Sequence, residues 1–146
     1  MGIPALPFYK MNFTVPKIDG FIKNPKTLGD HIRNRRLKLH LFQKDVADHF
    51  EVSTDTITNW ENNRSVPQIQ FYKKIIDFLE FFPFDIDTST LQGKMKEYRY
   101  RNGLSYKEFA KLFGVNQTTI LDWEENTIRI NSKYIDDLKK VIRDSS

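Results

Sequence analysis

The sequence predicts an all-α protein built from two copies of one small helical module. Three observations carry that reading: a gap-free internal repeat, apolar residues at helical spacing within each copy, and helix start signals at matching places. Displacing the 146-residue chain by 63 positions sets Leu28 on Leu91, and the register holds without a gap to Leu79 on Ile142. Identical pairs include Arg36/Arg99, Leu41/Leu104, Ala47/Ala110, Phe50/Phe113, Val52/Val115, Thr56/Thr119, Ile57/Ile120, Trp60/Trp123 and Glu61/Glu124. The matches fall mainly at apolar spacing, so what recurs is a small core.

Each element follows from local chemistry. Leu28, Ile32 and Arg36 lie one turn apart, which predicts a first helix, and Leu91 and Met95 repeat the pattern. Thr27-x-x-Asp30 and Ser89-x-x-Gln92 resemble capping boxes that open it, and Ser105-x-x-Glu108 opens the second helix of the second copy. Second helices are expected over 42–50 and 106–113, and third helices over about 54–62 and 117–125. Pro67, and the Asn131-Ser132 pair, introduce fourth helices that end near Leu79 and Ile142. Gly103 and Gly114 stand where the second copy must reverse sharply, whereas the first copy has His40 and Glu51 there. A left-handed Glu51 costs about 1 kcal/mol relative to Gly.

Domain boundaries are set at 27–82 and 90–146, with 1–26 as an N-terminal arm and 83–89 as a linker. The arm is rich in Pro and aromatics and has no helical period, so it reads as extended. It either wraps a partner or straps the module's own core. The strap is favoured, because Phe8, Tyr9, Phe13, Phe21 and Ile22 need burial. Phe81, Phe82 and Phe84 around the linker likewise favour docking over a flexible tether. Stretched fully, about ten residues would reach roughly 33–36 Å.

Composition narrows the function. There is no Cys, which excludes disulfides, thiolate metal sites and Cys nucleophiles. No apolar run approaches a membrane span, so no membrane partner is expected and a cytoplasmic location is. The net charge is +4 and the pI about 9.2, which suggests a polyanionic partner. Residues 1–86 carry 12 Lys/Arg against 10 Asp/Glu and residues 87–146 carry 11 against 9, so each part nets +2. Any nucleic-acid affinity must therefore come from the local placement of charge.

Two short helices joined by a sharp turn, the second with a polar face, make a helix-turn-helix pattern. The string Gln43-x-x-x-Ala47-x-x-x-x-Val52-Ser53-x-x-Thr56-Ile57-x-x-Trp60-Glu61-x-Asn63 resembles the Xre/Cro, lambda-repressor-like family of DNA-binding domains. The resemblance covers roughly 28–79 and again 91–142, which implies two tandem lambda-repressor-like domains. It implies double-stranded DNA as partner, no cofactor, and a transcriptional regulator or a site-binding protein of a mobile element, associated with the nucleoid.

By that resemblance Thr54, Asp55, Thr58 and Asn59 point at bases in the major groove. Asn59 suits adenine, Asp55 can accept from cytosine N4, and the Thr methyls can meet thymine. Gln43, Lys44, Ser53, Asn62, Asn63 and Arg64 are expected at phosphates, where they would fix register. Arg36 with Glu61, and Arg99 with Glu124, are expected as structural ion pairs between first and third helices. The second copy departs from the pattern. Its base-facing positions are Gln117, Thr118 and Leu121, with Lys107 for phosphate, but Asp122 and Glu125 would face phosphate unfavourably. Arg101, Arg129 and Lys133 could compensate. DNA contact, a protein partner and a homodimer through the second module all stay open.

The sequence also bears on two other function classes. An enzyme is not expected, because His31, His40 and His49 are nine residues apart, a spacing that does not give metal ligands on one helix face. Neither a phosphate-binding loop nor a nucleophile motif is present. A helical protein-interaction module, antitoxin-like or a bridging cofactor protein, is the alternative, since a fold alone does not set function.

Overall fold

The computed structural model describes residues 19–144. These residues hold eight α-helices and no strand: α1 (Leu28–Lys38), α2 (Gln43–Phe50), α3 (Thr54–Glu61), α4 (Tyr72–Leu79), α5 (Leu91–Arg101), α6 (Tyr106–Lys111), α7 (Gln117–Glu124) and α8 (Ser132–Asp144). A 3₁₀ turn, Ile69–Phe71, leads into α4. The all-α expectation and the paired helix order hold.

Two separate cores form at the expected residues. The first buries Ile32, Val46, Phe50, Ile57, Trp60, Ile75, Phe78 and Leu79 from α1–α4. The second buries Met95, Phe109, Ala110, Ile120, Trp123, Ile130 and Leu138 from α5–α8. Trp60 anchors the first core edge-on to both Phe50 and Phe71, at 6.0 and 5.2 Å between ring centroids. Edge-to-face packing places positive ring edges against negative faces, which adds to the burial of large apolar area. Trp60 also needs a neighbour without a side chain. A Cβ on Gly29 would stand 1.8 Å from the Trp60 carbonyl oxygen, so Gly29 lets α1 and α3 meet backbone to backbone.

The helix starts match the sequence signals with two exceptions, the first being Pro67, which precedes a 3₁₀ turn while α4 itself begins at Tyr72. Thr27 caps α1 by accepting from the Asp30 N–H at 3.0 Å, while Asp30 accepts from the Thr27 N–H. Ser105 and Glu108 make the same reciprocal pair at α6. Helix α5 is capped by Thr90, which accepts from the Gly93 N–H at 3.0 Å, and not by Ser89 as its spacing from Gln92 suggested. The Ser89 hydroxyl and N–H are both drawn to the Asp87 carboxylate, which removes Ser89 from the capping position.

The turns confirm where the chain reverses. His40 (φ 55°) and Glu51 (φ 58°) are left-handed in the first module, as Gly103 (φ 62°) and Gly114 (φ 64°) are in the second. The first module therefore carries backbone strain at two non-glycine positions that the second avoids. Asn63 and Asn126, one repeat apart, are also left-handed and close α3 and α7. Asn tolerates this conformation better than most residues.

Residues 19–26 lie along α1. The Asn34 side chain grips the Ile22 backbone from both sides, donating to its carbonyl and accepting its N–H at 2.8 Å each. Ile22 is thereby held on α1, but Phe21, expected to need burial, stays 41% exposed with the Lys38 ammonium over its ring. Phe8, Tyr9 and Phe13 lie outside the described residues.

The linker is docked instead of stretched. The Phe84 ring packs on Tyr72 of α4 and Tyr100 of α5, both at 4.8 Å, and Tyr72 meets Tyr100 edge-on at 5.1 Å. Phe82 packs on Phe84 and under the Arg101 guanidinium. Phe81 stays 47% exposed with its ring edge against His31. Helix α4 thus packs against α5, and the two cores are joined through an aromatic contact.

Candidate nucleic-acid interface

Helices α2 and α3 meet at the left-handed Glu51 turn, and α3 divides cleanly into two faces. Ile57, Trp60 and Glu61 are buried, Thr54 and Asp55 are exposed, and Thr58 and Asn59 lie half-buried between them. The N-terminus of α3 is held by Ser53, which accepts from the Thr56 N–H and shares a hydrogen bond with the Thr56 hydroxyl. The Ser53 hydroxyl, expected at a phosphate, is thus the cap of α3.

A continuous polar chain runs from α1 to the outer face of α3. The Arg36 Nε and Nη2 grip the two Glu61 oxygens at 2.6 and 2.9 Å, and Arg36 Nη1 donates to the Leu41 carbonyl. The Gln43 amide N–H donates to Glu61 Oε2 at 3.0 Å, and the Thr58 hydroxyl donates to Gln43 Oε1 at 2.8 Å. Glu61 is 1% exposed in its side chain and Arg36 13%. A charge so poorly solvated needs this many partners. The chain fixes the roll of α3 against α2, and with it the direction in which Thr54, Asp55 and Asn59 project.

The flanks carry positive charge and free polar groups. Lys44 and Arg64 are exposed and have no ion-pair partner among the described residues. Asn62 is exposed at the end of α3. Asn63 is not free. Its amide donates to Asp30 Oδ1 at 3.0 Å and its carbonyl oxygen accepts from the Thr27 hydroxyl at 2.7 Å, which locks the end of α3 to the start of α1. Burial opposes ionisation of Asp30. Hydrogen bonds from the Lys26 N–H, the Asn63 amide and Thr27 outweigh it and hold the carboxyl below its ordinary range.

The second module keeps the scaffold and changes the face. Arg99 grips Glu124 at 2.8 and 3.0 Å and donates to the Leu104 carbonyl, repeating the first module bond for bond. At the place of Gln43 stands Tyr106, whose ring lies 4.0 Å from the Arg99 guanidinium. Burial, then the nearby Glu124 carboxylate, push the Tyr106 phenol above its usual pKa. At the place of Thr58 stands half-buried Leu121. The clasp between second and third helices is therefore aromatic and apolar here. Gln117 and Thr118 are exposed on α7, with exposed Lys107 and Lys111 lining the same shallow depression. Asp122 accepts from the Thr127 hydroxyl. Arg101 is occupied by Glu97 and Phe82, so it does not supply the free charge that its sequence position suggested.

Sequence reasoning found both ion pairs and missed three couplings. The Gln43–Thr58 bond and the Tyr106–Arg99 stack both depend on how neighbouring helices cross, and no local pattern announces them. The Asn63–Asp30 bond did leave a signal, since Asn63 and Asn126 are identical in the repeat register. Among the described residues no group of His, Asp and Glu could hold a metal ion, and no helix is long and apolar enough to cross a membrane.

A family model described as helix-turn-helix matches the chain twice, over residues 32–85 and 95–142. No curated protein and no solved structure matches the chain. The two matches together span more than half of the sequence, and each contains one complete helix–turn–helix with its Arg–Glu pair. The chain is therefore a DNA-binding protein of the Xre/Cro-like helix-turn-helix family, carrying the domain in tandem.

Proposed function

We propose that the protein recognises a specific duplex sequence by laying α3 in the major groove, and that it acts as a transcriptional regulator or a site-binding protein of a mobile element. The observation that carries this reading is the outer face of α3, polar, open at Thr54 and Asp55, half-buried at Thr58 and Asn59, and held in one orientation by the Arg36–Glu61–Gln43–Thr58 chain. An α-helix fits the major groove, where each base pair offers its own pattern of donors and acceptors. Among the described residues the Asn59 side-chain amide has no hydrogen-bond partner, and it is suited to adenine. Asp55 would accept from a cytosine amino group, and Thr54 and Thr58 would meet thymine methyls.

Lys44, Asn62 and Arg64 would bind phosphates on either side, fixing register without reading sequence. The family resemblance points Gln43, Ser53 and Asn63 at phosphates as well, and each is engaged inside the protein. Their phosphate contact would come from the groups left over, such as the second donor of the Gln43 amide. The second module contributes Gln117, Thr118 and Leu121 at bases and Lys107 at phosphate, a more apolar reading surface. The domains of this reading are residues 27–82 and 90–146, joined by 83–89, with 1–26 as the arm. The protein performs no chemistry in this account and works in the cytoplasm, at the nucleoid.

Selection from a random duplex library at near-physiological salt tests the proposal. An enriched motif supports it. Binding without enrichment, or none, would overturn it and favour a protein-interaction module.

A further inference from the structure

The two modules do not hang on a tether, and that has a consequence for the DNA. We infer that Tyr72, Phe84 and Tyr100 are specificity determinants, setting the one separation and relative orientation at which two boxes on a duplex are accepted. The inference rests on the proposal that both modules touch DNA.

Phe84 comes from the linker, Tyr72 from the last helix of the first module and Tyr100 from the first helix of the second. Their ring centroids lie 4.8, 4.8 and 5.1 Å apart, so each ring touches the other two. Tyr72 is buried enough that desolvation, followed by the neighbouring Tyr100, pushes its phenol above the usual pKa. A second contact lies beside the rings. Gly103, in the turn after α5, approaches the 3₁₀ turn before α4 so closely that a Cβ would stand 3.1 Å from the Ile69 carbonyl oxygen and 3.3 Å from that of Gln70. Phe82 adds a third contact under Arg101 at 4.3 Å. These contacts tie α4, the 3₁₀ turn before it and the linker to α5 and the turn after it, so rotation about the linker would break at least one of them.

Since α3 and α7 are each fixed within their own core, fixing α4 on α5 fixes α3 relative to α7. A flexible linker would allow many box spacings with graded affinity. A docked one allows one geometry, and the gain from simultaneous engagement vanishes wherever geometry forbids it.

The test uses the full chain and duplexes carrying the two selected boxes at graded separations and in both orientations. The wild type should prefer one arrangement over the rest by roughly 10²-fold, the gain expected from joined sites. Phe84→Ala, and separately a Gly-Ser-Gly-Ser insertion between Asp85 and Ile86, should flatten that preference while each single-box affinity stays within twofold or so of wild type. Retained single-box binding shows that both modules remain folded. A wild type indifferent to spacing, a preference untouched by both variants, or selection of only one box would overturn the inference and leave reading by α3 intact. Failure of the library to yield any box would instead overturn the proposed function on which the inference rests.

Discussion

The Thr58 hydroxyl donates to the Gln43 side-chain carbonyl across 2.8 Å, and this single bond joins the outer face of α3 to the start of α2. Behind it, Gln43 donates to Glu61, and Glu61 is gripped by Arg36. A residue that faces outward is thereby oriented by an ion pair in the core. Gln43→Ala should cost about 2 kcal/mol of stability, because it removes a hydrogen bond to a buried carboxylate as well as the one to Thr58. It should also weaken DNA binding by more than that loss of folded protein explains. Parallel denaturant titrations and binding isotherms separate the two effects.

The ion pairs behind both faces are structural. Removing Arg36 leaves Glu61 buried and short of its main partner, so Arg36→Ala should destabilise the first module by about 3–5 kcal/mol. Arg99→Ala should do the same in the second, where both side chains are under 5% exposed. Replacing a whole pair by apolar residues, as in Arg99→Met with Glu124→Leu, should cost far less. Thermal unfolding of the three variants checks the order.

Left-handed turns give predictions of opposite sign. Glu51→Gly relieves a strained φ of 58° and forfeits only an exposed ion pair to Lys74. It should raise stability by roughly 0.5–1 kcal/mol. Gly103→Ala adds strain at φ 62° and crowds the Ile69 carbonyl, so it should lower stability by more than about 1 kcal/mol. Urea midpoints read both.

The fold was largely legible in the sequence because repetition doubles the signal: Trp60 and Trp123, or Glu61 and Glu124, identify each other. The candidate site was legible only where chemistry is local. Thr27 with Asp30 announces a cap within four residues, but the Asn63 that completes that cluster sits 33 residues from Asp30. The fate of Gln43 depends on how two helices cross, and its replacement by Tyr106 over Arg99 is a packing solution invisible to spacing. Ser89 misled because Thr90, one residue on, is an equally good cap and Asp87 captures the Ser89 hydroxyl.

Acid sensitivity should trace to Asp30. Its carboxyl titrates below the ordinary 3.8 when folded, so in acid the unfolded chain takes up the proton first. The stabilisation is present above that value and is lost as pH falls through the lower folded one. Asp30→Asn should lower stability near neutrality by about 2 kcal/mol, as loss of hydrogen bonds to a charged group does, and flatten the acid limb. A wild-type acid limb below pH 4 no steeper than that of the variant would refute this assignment.

Asn59 is the residue through which base reading by the outer face of α3 is put to the test. Affinities of wild type and Asn59→Ala would be measured on the selected duplex and on duplexes changed at each base pair in turn. The variant should lose about 1–3 kcal/mol on the preferred site, with discrimination relaxed at one base pair and binding to unrelated DNA unchanged. Unaltered affinity together with an unaltered base preference at every position would contradict it.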